Sequence, residues 1–138
     1  MLPSRALTRD ERTMSSLDRT IDGDALVRHL TQDERTIDQG LVAKHGRSAR
    51  TLVKEGPIRL TLIALAPGGD LPEHSADGPV SVHVVDGEFL FSAAGREYPL
   101  RECDVLVVAA GVRHSARSNS GGTFLLTVFH LPSAGTPL

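Results

Sequence analysis

The stretch that decides the fold is LPEHSADGPVSVHVVDGE, residues 71–88. A polar loop carrying His74 is broken at Gly78-Pro79, and a β-branched run, PVSVHVV, follows with a second histidine, His83. The run ends at Asp86-Gly87, a turn signal. A short β-branched run bounded by Gly, Pro and Asp reads as a strand. The two histidines pose a question of chemistry: a metal site with further ligands elsewhere, or a pocket that holds no metal tightly.

The same texture continues along the chain. IRLTLIALAP (58–67), EFLFSAA (88–94), EYPL (97–100), DVLVVAA (104–110), HSARS (114–118) and TFLLTVFHL (123–131) are short and β-rich. Gly, Pro, Asp and Asn separate them, and Ala94-Gly95 is a second expected turn. Short strands with regularly spaced turn signals predict an antiparallel sandwich or barrel.

At 138 residues the chain is expected to form one domain with a sizeable core. Hydrophobic residues make up 40% and charged residues 23%, an ordinary globular balance. Tryptophan is absent and aromatics are scarce, so the core is expected to be built from Val, Leu, Ile and Ala. A net charge of −2 lacks the basic footprint of a nucleic-acid binder. The single cysteine, Cys103, excludes an intramolecular disulfide and a multi-cysteine zinc site; it reads as a small hydrophobe at a turn. No apolar run approaches the ~20 residues of a membrane span. The N-terminus has no apolar signal region, and a cytoplasmic protein is expected.

Residues 1–20 are polar and without periodicity, a flexible segment, and Met14 is an alternative start to Met1. Residues 21–46 form a helical arm in this reading. Asp22 or Asp24 would cap a first helix with Ala25, Leu26 and Leu30 on one side. Thr31-Gln-Asp-Glu34 fits a capping box ahead of Ile37, Leu41 and Val42, and Gly46 suits a helix end. A barrel over 47–132 and a tail over 133–138 complete the chain. A second helix from Ser48 would make a helix-turn-helix, but it would run at once into Gly56-Pro57 and a strand pattern, too short to fill a major groove.

The barrel segments resemble the cupin superfamily. The first cupin motif runs Gly, five residues, His-x-His, three or four residues, Glu, six residues, Gly. Here Gly68, His74 and Gly87 keep the spacing, while Ala76 stands for the second histidine and Val80 for the glutamate. The second motif reads CDVLVVAAGVRHSARSN, residues 103–119: Cys103 and Ala109 depart from its glycine and proline, Gly111 and His114 match, and Asn119 falls one place late. The resemblance implies an all-β fold, a double-stranded β-helix (jelly-roll) barrel with a short helical N-terminal arm. A group of small stand-alone bacterial cupins looks similar in GRSARTL, TLIAL and LLTV.

The resemblance carries over His74 and His114 as metal ligands. A tightly held transition metal wants a third or fourth, so His83, His130 and Asp77 are the candidates. If position 80 faces the barrel interior as the family glutamate does, Val82 and Val84 face inward and His83 outward, unless a bulge reverses it. The cofactor expectation is none, or one divalent ion of Fe, Mn, Ni or Zn. The ligand-binding set is His74, His114, Val80, Val82 and Arg113.

Three functions stay open. The favoured one is a cupin that binds or senses a small molecule in a mostly apolar pocket oriented by His74 and His114. The others are a metal-dependent isomerase, cyclase or oxygenase with a reduced ligand set, and a structural or interaction module with a filled barrel. Whether it is an enzyme is undecided. A homodimer is expected, because open sheet edges in small barrels are usually covered. Neither nucleic acid nor membrane is an expected partner.

Overall fold

The computed structural model describes Thr20, Ile21 and residues 23–130. The expected flexible segment, save Thr20, lies outside the described residues, as do Asp22 and the tail over 133–138. Among the described residues no helix is long and apolar enough to cross a membrane.

The arm departs from expectation in detail. Residues 23–29 form no helix; the backbone N–H of Ile21 donates to the Glu55 carboxylate at 2.8 Å, which ties this stretch alongside the barrel. Helix α1 is Leu30–Arg35, with His29 at its N-cap making no side-chain cap bond. Thr31 therefore sits inside the helix, not at a cap. What fixes α1 is Asp33, whose carboxylate is fully buried against the Arg28 guanidinium at 2.9 Å. Helix α2, Gln39–His45, is capped by Asp38, which accepts from the N–H groups of Gly40 and Leu41. Gly46 ends it in the left-handed region at φ 80°, a conformation that glycine adopts without Cβ strain.

Residues 47–55, which include the second helix of the helix-turn-helix alternative, form a strand instead. The strands are β1 (Arg47–Glu55), β2 (Ile58–Leu65), β3 (Asp70–His74), β4 (Val80–Ala93), β5 (Arg96–Arg101), β6 (Val105–Val108), β7 (His114–Arg117) and β8 (Gly122–Phe129). All pairings are antiparallel. One sheet joins β1, β2, β8, the first half of β4 and β6. The other joins β3, β7, the second half of β4 and β5. This is the antiparallel barrel that the strand pattern predicts, in the jelly-roll form that the resemblance implies.

Strand β4 crosses between the sheets, and Asp86-Gly87 is its crossing point, not a hairpin turn. The register against β8 slips between Val84 and Asp86, so the inward parity changes from Val80, Val82 and Val84 to Phe89, Phe91 and Ala93. Gly87 has φ 84°, and a Cβ there would lie 2.7 Å from the Gly122 Cα. Only glycine lets the strand bend this close to β8. The hairpin at Ala94-Gly95 forms as expected, with φ 51° and 77°.

Two apolar clusters hold the chain together. The barrel interior packs Ile63, Leu65, Val80, Val82 and Val84 with Phe89, Phe91 and Phe124. Phe124 meets Phe89 and Phe91 edge-on at 5.1 and 5.2 Å, so the centre of the core is aromatic where only aliphatic residues were expected. The second cluster lies under the arm: Ile37 and Val42 cover Leu52, Leu62 and Ala64. The arm thus packs on its own barrel. Over residues 62–65 strand β2 is apolar on both faces because both are covered there.

Candidate functional site

The register of β2, β8 and β4 builds one wall of a cavity of about 360 Å³. Arg59 pairs with Val128, which pairs with Val80; Thr61 pairs with Leu126 in the next inward row. All five line the cavity. His74 and His114 line it from the other sheet. They are direct cross-strand partners on β3 and β7, with ring centroids 4.3 Å apart and an interplanar angle of 65°. Ser75, Ala76, Asp77 and His130 complete the lining.

The two histidines are held alike. Nδ1 of His74 lies 3.0 Å from the Pro72 carbonyl, and Nδ1 of His114 lies 3.0 Å from the Val112 carbonyl. A carbonyl only accepts, so each Nδ1 carries a proton and donates, which leaves Nε2 of the neutral ring as an acceptor. His114 is only 2% exposed. Burial pushes its pKa below the ordinary 6.5, the Val112 carbonyl opposes this, and His74 adds to the lowering. Its buried Nε2 has no hydrogen-bond partner among the described residues.

A second orphan belongs to another residue that lines the cavity. Nε of Arg59 is buried without a partner, although a guanidinium is always charged and has five donors to satisfy. Sequence reading missed this residue. Its signal was an arginine inside an apolar strand pattern, two places before Thr61 and four before Ile63.

The remaining candidates divide. Val80, Asp77 and His130 line the cavity. Val82 is fully buried in the core beneath. His83 falls on the other face of β4, opposite Val105 and Leu125. Arg113 lies outside the cavity lining and pairs with Glu73 at 3.0 Å in an exposed ion pair. Cys103 is exposed, with φ 71°, and not a packed hydrophobe. Among the described residues no three or more His, Cys, Asp or Glu side chains come together as a metal-ion site.

A larger cleft of about 640 Å³ lies beside the second half of β4 and β5. Its buried polar groups are satisfied: the Ser118 hydroxyl donates to the Glu88 carbonyl and accepts from the Gly121 N–H. The unsatisfied groups mark the smaller cavity as the candidate site.

A family model described as a cupin domain matches residues 61–130. Among solved structures, a conserved protein of unknown function from Streptococcus pyogenes is 23% identical with a TM-score of 0.62, over 81% of this chain and 93% of that one. A cupin superfamily protein from Desulfitobacterium hafniense is 18% identical with a TM-score of 0.61, over 63% and 80% of the two chains. An RmlC-like cupin from Shewanella frigidimarina is 22% identical with a TM-score of 0.60, over 66% and 82%. At these identities the likeness concerns the fold. No curated protein matches the chain. The match runs from within β2 to the residue after β8, through both motifs and both histidines of the cavity, and the chain belongs to the cupin superfamily.

Proposed function

We propose that the protein binds a small molecule in the cavity shared by Arg59, His74 and His114, as a binding or sensing module. One observation carries this reading: His114, whose buried Nε2 is an acceptor without a partner, lines a cavity of about 360 Å³. Leaving such an atom unsatisfied costs about 1–3 kcal/mol, and a ligand N–H or O–H recovers it. Val80, Leu126 and Val128 supply an apolar floor, and the volume exceeds the ~300 Å³ lower bound of ligand pockets. That volume speaks against a barrel filled by its own side chains.

A resident metal fits the residues poorly. The family's ion needs more donors than two imidazoles, Ala76 and Val80 offer none, and no third acidic, cysteine or histidine side chain joins the pair among the described residues. No reaction step is assigned to the site.

The test is a screen of small metabolites by thermal shift and ligand-observed NMR, on the parent, His114→Gln and Val80→Phe. Compounds that bind the parent and weaken at least about tenfold in both variants support the reading. Binding indifferent to both substitutions, or no binding at all, removes it.

A further inference from the structure

We infer that the cavity takes a small organic acid, its carboxylate held by Arg59 and a neighbouring hydroxyl or amino group donating to Nε2 of His114. This rests on the cavity being a ligand site, as proposed above, and adds the chemical class of the ligand.

Arg59 belongs to the inward face of β2. Ile63 and Leu65, at the same parity, are in the barrel core, whereas Leu62 and Ala64 pack under the arm. Arg59 is half-buried, and its buried, unpaired Nε is costly unless an acceptor completes it, which an anion does best beside a fixed positive charge. The chain supplies none among its described residues. Their ion pairs join Arg28 to Asp33, Arg113 to Glu73 and Arg117 to Glu97. Asp77, the one acidic side chain lining the cavity, is exposed and makes no ion pair with Arg59. The planar guanidinium fork matches a carboxylate. A single negative charge balances this one arginine, whereas a phosphate dianion would be left in excess.

The opposite wall demands the reverse polarity. Both histidines spend their Nδ1 protons on backbone carbonyls, so Nε2 of each presents a lone pair when neutral. A carboxylate oxygen set there would meet acceptor with acceptor. The ligand must bring an N–H or O–H donor to that wall, and the cavity volume limits it to a small metabolite.

The experiment uses sets of matched probes. Lactate and alanine carry both features, propionate only the carboxylate, and lactamide only the donor; homologues up to about eight carbons extend each set within the cavity's size class. Affinities are measured by titration calorimetry and ligand-observed NMR on the full chain, its Arg59→Met and Arg59→Lys variants, and His114→Gln. In at least one set, the hydroxy or amino acid should bind the parent about tenfold or more tightly than its amide and its deoxy acid. Arg59→Met should remove the preference for acid over amide, and Arg59→Lys should restore part of it. His114→Gln should remove the preference over the deoxy acid. Which arm binds, hydroxy or amino, identifies the donor. Amides binding as well as acids would overturn this inference and leave the ligand site standing. If no set binds the parent while unrelated neutral compounds do, this inference alone falls; if nothing binds, both readings fall.

Discussion

His74 and His114 face each other across β3 and β7 with ring centroids 4.3 Å apart, and of the two only His114 is fully buried. Charging His114 is disfavoured chiefly by its burial, with the proximity of His74 adding to it. Its folded pKa lies below 6.5, so below that pH the unfolded chain binds the proton more readily than the folded one. Stability from this residue is complete above pH 6.5 and is lost as pH falls toward the folded pKa. One such group changes stability by at most about 1.4 kcal/mol per pH unit. Urea unfolding at about pH 7.5, 6.5 and 5.5 should show the parent losing more stability than His114→Gln. Parallel curves would mean that His114 already charges freely in the fold.

The arm depends on a different buried pair. The Arg28 guanidinium grips the Asp33 carboxylate through Nη2 at 2.9 Å and Nε at 3.3 Å, with side-chain exposures of 6% and 0%. Removing the Asp33 carboxylate leaves the Arg28 guanidinium as a buried charge, at a cost of about 3–5 kcal/mol. Asp33→Ala should lower stability by about that amount. Because the arm covers Leu52 and Leu62, the variant should also bind more of a hydrophobic dye. A loss below about 1 kcal/mol would put the pair in the class of surface ion pairs.

How far the sequence reveals this molecule depends on what covers each strand. Val80, Val82 and Val84 could be assigned to the interior because the motif resemblance sets position 80 inward and strand alternation carries that parity along. In β2 the arm covers Leu62 and Ala64 on the outer face, while Ile63 and Leu65 enter the barrel. Nothing in LIAL then says which residues face inward, so the inward parity of Arg59 and Thr61 stayed hidden. Asp86-Gly87 misled for a related reason: a bulge needs the same positive-φ glycine as a hairpin turn, and only the pairing partners distinguish them. His74 and His114 were legible because motif spacing carried them, while their tautomers required the carbonyls of Pro72 and Val112 in place.

Cys103 marks another position where backbone conformation explains a motif. It stands where the second motif has glycine, and its φ is 71°. Its N–H donates to the Val84 carbonyl at 3.0 Å, which holds the turn in that conformation. The left-handed region costs a non-glycine residue about 1–2 kcal/mol, against about 0.5–1 kcal/mol of extra chain entropy lost by glycine. Cys103→Gly should therefore stabilise by about 0.5 kcal/mol, read as a small rise in denaturation midpoint. Cys103→Val, β-branched at positive φ, should destabilise by more than 1 kcal/mol, roughly. A stabilising valine would show that the turn relaxes to another conformation.

The frame of the metal motif outlasts its missing donors in this barrel. Ala76 and Val80 both line the cavity with His74 and His114, at the positions where the first motif has histidine and glutamate. Ala76→His combined with Val80→Glu brings the donors to three imidazoles and a carboxylate, a set that suits divalent transition metals. Both histidines already have Nδ1 tied to a carbonyl, the arrangement that orients Nε2 toward a metal. The double variant, purified without a histidine tag and incubated with Zn(II), Ni(II) or Fe(II), should retain about one ion per chain on elemental analysis after dialysis. The parent should retain far less. Without metal the variant should be less stable than the parent, since glutamate replaces a buried valine, and with metal it should recover. Equal metal in parent and variant would show that His74 and His114 already find the donors they need. No metal in the variant would show that the wall between β3 and β4 has drifted from ligating geometry.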